Sequence, residues 1–182
     1  MLNELLRDLY ASNLWIILIA MPLLTVGWSV LGAFFSERIR TLYVVMLALS
    51  VMMIVYVTVF SRGESEAGLD LVPFSSFQRA KENREIYRSM LMNVLLFLPL
   101  GLSCPYLLRG APAGRVLLTI AAGCFLSLTV EAIQLVFHIG LTETDDVLCN
   151  SFGTALGALS YPLSLLWKRL IQKRRKNRSQ TV

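Results

Sequence analysis

Five apolar stretches, each close to the length of a bilayer crossing, constrain this chain more than any other feature. They cover residues 14–35, 42–60, 89–108, 116–137 and 147–167. A helix needs about 20 predominantly apolar residues to span the hydrocarbon core. Water is absent there, so each backbone N–H and C=O must find its partner within the fold, and a helix supplies those partners unaided. The expected fold is therefore all-α, a polytopic membrane protein with about five transmembrane helices. Composition agrees: 55% of the 182 residues are hydrophobic, only 16% are charged, and mean hydropathy is +0.62. Soluble domains carry about a quarter charged residues.

The leader ahead of the first stretch carries Glu4, Arg7 and Asp8. It lacks the positive bias of a secretory signal, and the apolar run after it exceeds a signal core of roughly 7–15 residues. The first segment is expected to remain as a span. Net charge is +5, yet seven of the 17 Lys and Arg lie in the tail: Lys168, Arg169, Lys173, Arg174, Arg175, Lys176 and Arg178. A basic tail after a hydrophobic segment is a cytoplasmic anchor against anionic headgroups, so no nucleic-acid partner is expected. With the tail inside, the turns holding Arg38 and Arg40, and Arg109 and Arg115, are also inside, and six basic residues remain elsewhere. The positive-inside rule then places the N-terminus outside and the C-terminus in the cytoplasm.

The spans differ in polarity. The first two are almost wholly apolar, whereas the last three hold Asn93, Pro99, Gly101 and Pro105, then Glu131 and Gln134, then Asn150, Gly153, Gly157 and Pro162. Such residues cost stability in lipid unless they pack against helices or line a cavity. The chain divides accordingly into two supporting helices (1–60), an outer loop (61–88), a three-helix core (89–167) and a basic cytoplasmic tail (168–182). Within the loop, residues 62–70 read as polar and mobile. Leu71-Val72-Pro73-Phe74 is apolar and stiffened by proline, suited to the membrane interface. Ser75 or Ser76 then suits an N-cap for a surface helix over residues 76–88. That helix would set Phe77, Ala80 and Tyr87 on one face and pair Lys81 with Glu85. Cys104, Cys124 and Cys149 are odd in number and apolar in setting, so buried free thiols are expected rather than disulfides or a metal knuckle.

Glu131 is the sharpest candidate. An ionisable group at such depth costs roughly 2.5–3.5 kcal/mol on insertion scales and needs a partner, a cavity or a proton. Gln134 and His138 follow on the same helix face. Alternation of the spans brings Asn93, Asp145, Asp146 and Asn150 to a similar depth near the outer leaflet. Simpler roles exist for each: Asn93 and Asn150 as helix-to-helix bonders, Asp145 and Asp146 as N-cap and first turn, His138 as an interfacial residue. Carboxylates suit a hard cation or general acid–base work, though the spacing matches no metal motif. No zinc signature, phosphate loop or nucleophile elbow is present, and no cofactor is expected.

The same stretches resemble the VanZ-like family. Leu71-Val72-Pro73-Phe74 and the run from Asn93 through Pro99 to Gly101 resemble the front half of its domain. Glu131-Ala132-Ile133-Gln134, then Asp145-Asp146 through Asn150 to Gly153 with Gly157, resemble the back half. Members often carry a basic residue shortly before the acidic pair. Here Gly140 is followed by Leu141, Thr142, Glu143 and Thr144, so such a role falls to Arg88 or another loop residue. The resemblance implies a bacterial cytoplasmic membrane protein of a family named for low-level teicoplanin resistance. A protein countering a lipoglycopeptide should present its site to the outer leaflet. The expected site is an outer cleft lined by Asn93, Glu131, Gln134, His138, Asp145, Asp146 and Asn150 and covered by Pro73 and Phe74. Its ligand would be a membrane lipid, a lipid-linked wall precursor or a lipoglycopeptide. An alternative is a membrane-embedded enzyme with Glu131 as general acid or base and Asp145 or Asp146 holding a cation. Transport is disfavoured because the inner halves of the spans are apolar. The sequence leaves the oligomeric state open, including whether Gly153 and Gly157 pack within or between chains.

Overall fold

The first two expected spans form helices α1 (Leu14–Phe35) and α2 (Arg40–Val55), the latter running into a π-helical turn, Tyr56–Phe60. Strand β1 (Gly68–Asp70) and a short helix α3 (Ser75–Arg79) follow, then α4 (Arg84–Leu107) and α5 (Pro112–Phe137). Strand β2 (Leu141–Glu143) leads into α6 (Thr144–Ala158) and α7 (Ser160–Ser179). This computed structural model describes residues 14–35, 39–61 and 68–179. The leader with Glu4, Arg7 and Asp8, the position of Arg38 and the polar stretch 62–67 lie outside the described residues.

The protein is an all-α polytopic membrane protein. Among the described residues, four helices are long and apolar enough to cross a membrane: Leu14–Phe35, Arg40–Phe60, Arg84–Leu107 and Pro112–Phe137. The fifth expected span, residues 147–167, is divided. α6 stops at Ala158, Leu159 makes a turn, and α7 begins at Ser160. Pro162 explains the break, since it has no N–H for the Ala158 carbonyl and its ring crowds that oxygen. The 15 residues of α6 reach only about 22 Å at 1.5 Å per residue.

Apolar side chains face outward. Leu23, Met52 and Phe125 are 63%, 66% and 73% exposed, while Ser29, Thr119, Ser127 and Thr154 are fully buried. In lipid the exterior can be apolar, and small polar residues let helices approach closely. Most buried hydroxyls satisfy themselves on their own helix: Thr25 on Met21, Thr58 on Ile54, Thr119 on Arg115 and Thr154 on Asn150, all at 3.0 Å or less. Such back-bonding removes the cost of an unpaired O–H.

α4 is the central helix, with 56% of its span buried against 22% for α1 and α2. Its closest partner is α6. A Cβ at Gly101 would strike the Thr154 carbonyl, one at Gly153 the Val94 carbonyl, and one at Gly157 the Leu98 carbonyl. The Gly153/Gly157 pair therefore packs within one chain, joined by Gly101 from the facing helix. Trp28 donates to the Leu102 carbonyl of α4 at 2.8 Å, and Tyr43 stacks on Tyr106 at 4.4 Å, tying α1 and α2 to the same helix.

The loop differs from expectation in three ways. Gly68–Asp70 is not mobile coil but pairs in parallel with Leu141–Glu143, placing Asp70 beside Glu143. The N-cap of α3 is Phe74, not Ser75 or Ser76. The surface helix ends at Arg79, and Asn83 caps a new helix by accepting the Glu85 N–H at 2.9 Å. Arg84 to Arg88 thus open the third span, and Lys81 leaves helical register with Glu85.

Gly101→Ala is expected to destabilise the protein by about 1–3 kcal/mol through overpacking against backbone. Gly27→Ala and Gly114→Ala, where a Cβ meets nothing within 4 Å, should be neutral. Thermal unfolding in detergent compares them; equal melting points for all three would remove the α4–α6 seam as a stability determinant.

Candidate functional site

The loop after β1 begins with a tight turn. Pro73 sets the first central position, the Ser75 N–H returns to the Val72 carbonyl at 3.3 Å, and Phe74 takes the second with φ 66. Type II turns need a positive φ there and usually place glycine. A phenylalanine held so costs on the order of 1–3 kcal/mol unless its surroundings compensate. The compensation is Asp145. Its Oδ1 accepts the Phe74 N–H at 2.6 Å, and its Oδ2 accepts the Ser76 N–H at 2.7 Å. One buried carboxylate, 1% exposed, thus holds the turn and caps α3 from another element. Residues 71–77 form a strap pinned across the start of α6.

A second set of bonds fixes the strap's flanks. Asp70 accepts from the Val72 N–H at 3.1 Å and from Ser75 Oγ at 2.7 Å. Strand pairing brings Asp70 and Glu143 together, and Arg79 offsets their repulsion: its Nη2 lies 2.9 Å from Asp70 and 2.8 Å from Glu143. Glu131 Oε2 accepts the Glu143 N–H at 3.1 Å. Gly140, at φ 149, and His138, at φ 56, turn the chain from α5 into β2. The Ser75, Val72 and Arg79 contacts hold the Asp70 carboxyl below its ordinary value.

The predicted site residues therefore separate. Glu131 and Asp145 join one network with Asp70, Ser76, Arg79 and Glu143. Asp146 is buried in the first turn of α6. Gln134 turns to α2, donating to the Thr58 carbonyl at 2.9 Å in the π turn, near a helix end where carbonyls lack intrahelical donors. Asn150 sits deeper, bonded to Ser127 Oγ at 2.8 Å. Asn93 lines a separate apolar groove of about 430 Å³ between α2 and α4. His138 is exposed at its helix end, 3.1 Å from the Leu135 carbonyl. Gln134, Asn150 and Asn93 thus turn to other neighbours than Glu131 and Asp145 do. Both Asp145 oxygens already accept backbone N–H groups. Among the described residues, no group of three or more His, Cys, Asp or Glu is placed to hold a metal.

Beside the strap lies an apolar cavity of about 520 Å³. Phe74 and Phe77 wall it from the strap side, Tyr87 and Val94 from α4, Leu148 and Phe152 from α6. Lys81 is the one charged residue among those lining it. Phe77, Ala80 and Tyr87 do meet here, as their spacing suggested, though on two elements rather than one helix.

Comparison with known proteins extends the motif resemblance: the VanZ/LLP1 family profile matches residues 34–167. This chain belongs to the VanZ/LLP1 family. It is 31% identical over 135 residues to "Protein VanZ" of Enterococcus faecium, covering 74% of this chain and 78% of that protein. No solved structure matches it significantly. The match takes in α2 and the start of α7 beyond the four motif blocks. The site residue missed from sequence is Arg79, the basic partner the acids lacked locally. Its signal was an Asp70/Arg79 pair flanking the proline turn.

Asp145→Asn is expected to speed hydrogen exchange of the Phe74 and Ser76 amides by roughly ten- to a hundred-fold, following a loss of about 1–3 kcal/mol for a buried acceptor. Arg79→Gln, whose side chain is 44% exposed, should change them by less than about five-fold. The reverse order would make the ion pairs the anchor.

Acid should spare Asp70's hold on the Val72 N–H and the Ser75 hydroxyl over the usual carboxylate range. Because the Asp70 pKa is lowered from 3.8, its contribution is fully present above pH 3.8. It is lost only as pH falls through the lower folded-state value. Amide exchange of Val72 against pH reads this, and loss of protection well above pH 4 would contradict it.

Proposed function

We propose that this protein engages an amphipathic envelope molecule, with an acyl chain in the cavity beneath the strap. The class includes membrane lipids, lipid-linked wall precursors and lipoglycopeptides. The observation that carries this reading is the apolar cavity itself: its volume falls within the range of ligand sites, and its roof is a strap fixed by dedicated polar contacts. Lys81 suits an anionic headgroup. In this reading Asp145, Glu131 and Arg79 position the strap rather than line the cleft, and Phe74 and Phe77 touch the ligand.

The strap end faces outward in a bacterial cytoplasmic membrane. The support is charge: the opposite end carries Arg40, Arg109, Arg115 and the tail, in keeping with the positive-inside rule. In a background lacking the three native cysteines, Lys81→Cys should react with an impermeant thiol reagent on intact cells, and Lys173→Cys only after permeabilisation. The opposite pattern would reject this orientation.

Family membership and the name of the Enterococcus faecium relative favour a contribution to teicoplanin resistance. A strain lacking the protein is complemented at matched membrane abundance with wild type, Asp145→Asn or Phe74→Gly. Glycine is at home at φ 66, so Phe74→Gly keeps the turn and removes only the aromatic wall. Wild type should raise the teicoplanin threshold more than the vancomycin threshold, and both variants should lose most of that gain. Full resistance with Phe74→Gly would remove the cavity from the function. A Glu131-dependent mass change in lipids or wall precursors would point to catalysis instead.

A further inference from the structure

The groove of about 430 Å³ between α2 and α4 joins an apolar wall to a buried amide that lacks an acceptor. Along α2 and its π turn the wall runs from Met46 to Val57, and along α4 from Met92 to Pro99. Tyr43, near the start of α2, stacks on Tyr106, near the end of α4. The two helices are therefore antiparallel, and Val57 and Met92 mark the strap end of the groove. Leu49, Met53 and Met92 are exposed, so the groove opens sideways from the bundle, where a membrane protein meets lipid. It is separate from the strap cavity: Met90, Leu91 and Val94 of α4 line that cavity, whereas Met92, Asn93 and Leu96 line the groove.

Two polar side chains belong to the wall. Ser50 donates to the Leu47 carbonyl of its own helix at 2.8 Å and is satisfied. Asn93 is 9% exposed, and its Nδ2 is enclosed with no hydrogen-bond partner among the described residues. An unpaired buried donor is costly, and an acceptor from outside the chain would remove that cost. A turn about χ2, a broad torsion in asparagine, carries Nδ2 toward the groove. Because the unmet atom is a donor, the matching ligand atom is an acceptor such as a carbonyl oxygen.

Length, depth and wall chemistry select the occupant. The α2 wall covers about 16 Å at 1.5 Å per residue. That is close to one leaflet's share of a hydrocarbon core about 30 Å thick, the reach of a single acyl chain. Asn93 follows Ser89, where the apolar run 89–108 begins, by about one helical turn. The amide therefore lies just beneath the interface, where the ester groups of a bilayer lipid sit. Met46, Met53 and Met92 are unbranched and flexible, and adapt to a mobile chain. The rival occupant is a helix of a second copy. Helix contacts in lipid use small residues, as Gly101, Gly153 and Gly157 do between α4 and α6. Neither glycine nor alanine is among the described residues lining this wall.

We propose that the groove between α2 and α4 holds one acyl chain of an ester-linked membrane lipid, whose ester carbonyl accepts a hydrogen bond from Asn93 Nδ2. The chain lies along the methionines, and the headgroup stays at the strap-end interface. This site stands or falls independently of the strap cavity and its ligand.

The test is competition between diacyl and dialkyl phosphatidylcholine of equal chain length, which differ only in the ester carbonyls. The purified full-length chain is equilibrated with an equimolar mixture, and retained lipid is read by native mass spectrometry. Wild type should retain the diester over the diether lipid by at least about three-fold, the scale of one hydrogen bond. Asn93→Leu, close in volume and checked for folding by its melting temperature, should bring the two near parity. Met53→Trp, at an exposed position, fills the groove and leaves Asn93 in place. It should lower retention of the diester lipid and abolish the preference, which keeps the test open even if Asn93→Leu misfolds. Phe74→Gly should leave the preference unchanged, and its loss there would move the lipid to the strap cavity and overturn the groove as its site. Equal retention of both lipids by wild type, or a preference that survives in Asn93→Leu and Met53→Trp, would overturn the proposal. An Asn93-dependent dimer mass in place of a lipid adduct would give the groove to a second copy and overturn the lipid assignment.

Discussion

The seam between α4 and α6 is the constraint on which the rest depends. With no side chain at Gly101, Gly153 or Gly157, each helix's backbone lies against the other's. Between membrane helices there is no hydrophobic drive to associate, so close dispersion contact and polar bonds must supply it. The seam also fixes position. It holds the starts of α4 and α6 side by side, and the strap has to bridge between them. Val94 touches Gly153 and also lines the strap cavity, next to Phe152. The contact that stabilises the bundle therefore shapes the floor of the candidate site.

The strap is held by few groups, and their magnitudes are instructive. Phe74 in a left-handed conformation costs on the order of 1–3 kcal/mol. Each charge-assisted bond to Asp145 contributes roughly 1.5–3 kcal/mol, so the buried acid is sufficient to hold the turn. The half-exposed Arg79 pairs add only about 0–1 kcal/mol each. Their role is to neutralise two carboxylates that strand pairing forces together. Both oxygens of Asp145 are occupied in this work, which weakens the case for a cation site there. What Asp145 does here is fix the backbone that carries Phe74 and Ser76.

Apolar length made the membrane helices legible in the sequence, and depth alternation drew attention to Glu131 and Asp145, both of which bond to the strap or its flank. What it could not reveal was direction. Gln134 shares a face with Glu131 on α5 but reaches the π turn of α2, because a departure from the α-helix repeat there gives no apolar signature. Asn93 lies at the expected level yet faces another groove. The three-residue strands escaped notice because their pairing joins segments far apart in sequence, and such short runs lack alternation. Arg79 was obscured for the same reason: its acids come from β1 and β2, and only the pairing makes them neighbours. The break at Leu159 was readable from Pro162, but the apolar run continues across it and hides the division.

The buried amides address a problem peculiar to membrane folds. Gln134, Asn150 and Asn93 each leave one polar atom unpaired, a cost of about 1–3 kcal/mol apiece in a dry interior. A soluble protein sets helix register largely by hiding its apolar face, but here both faces of a helix can be apolar and rotation or sliding exposes nothing unfavourable. Polar side chains that bond across helices remove that freedom, because any other register leaves both partners unsatisfied in lipid. Gln134 to the Thr58 carbonyl sets α5 against α2, and Asn150 to Ser127 sets α6 against α5. The carboxylates of β2 and α6 can meet the strap only if those registers are kept. Residues that first look like parts of a polar site are thus the means by which the bundle keeps that site in place.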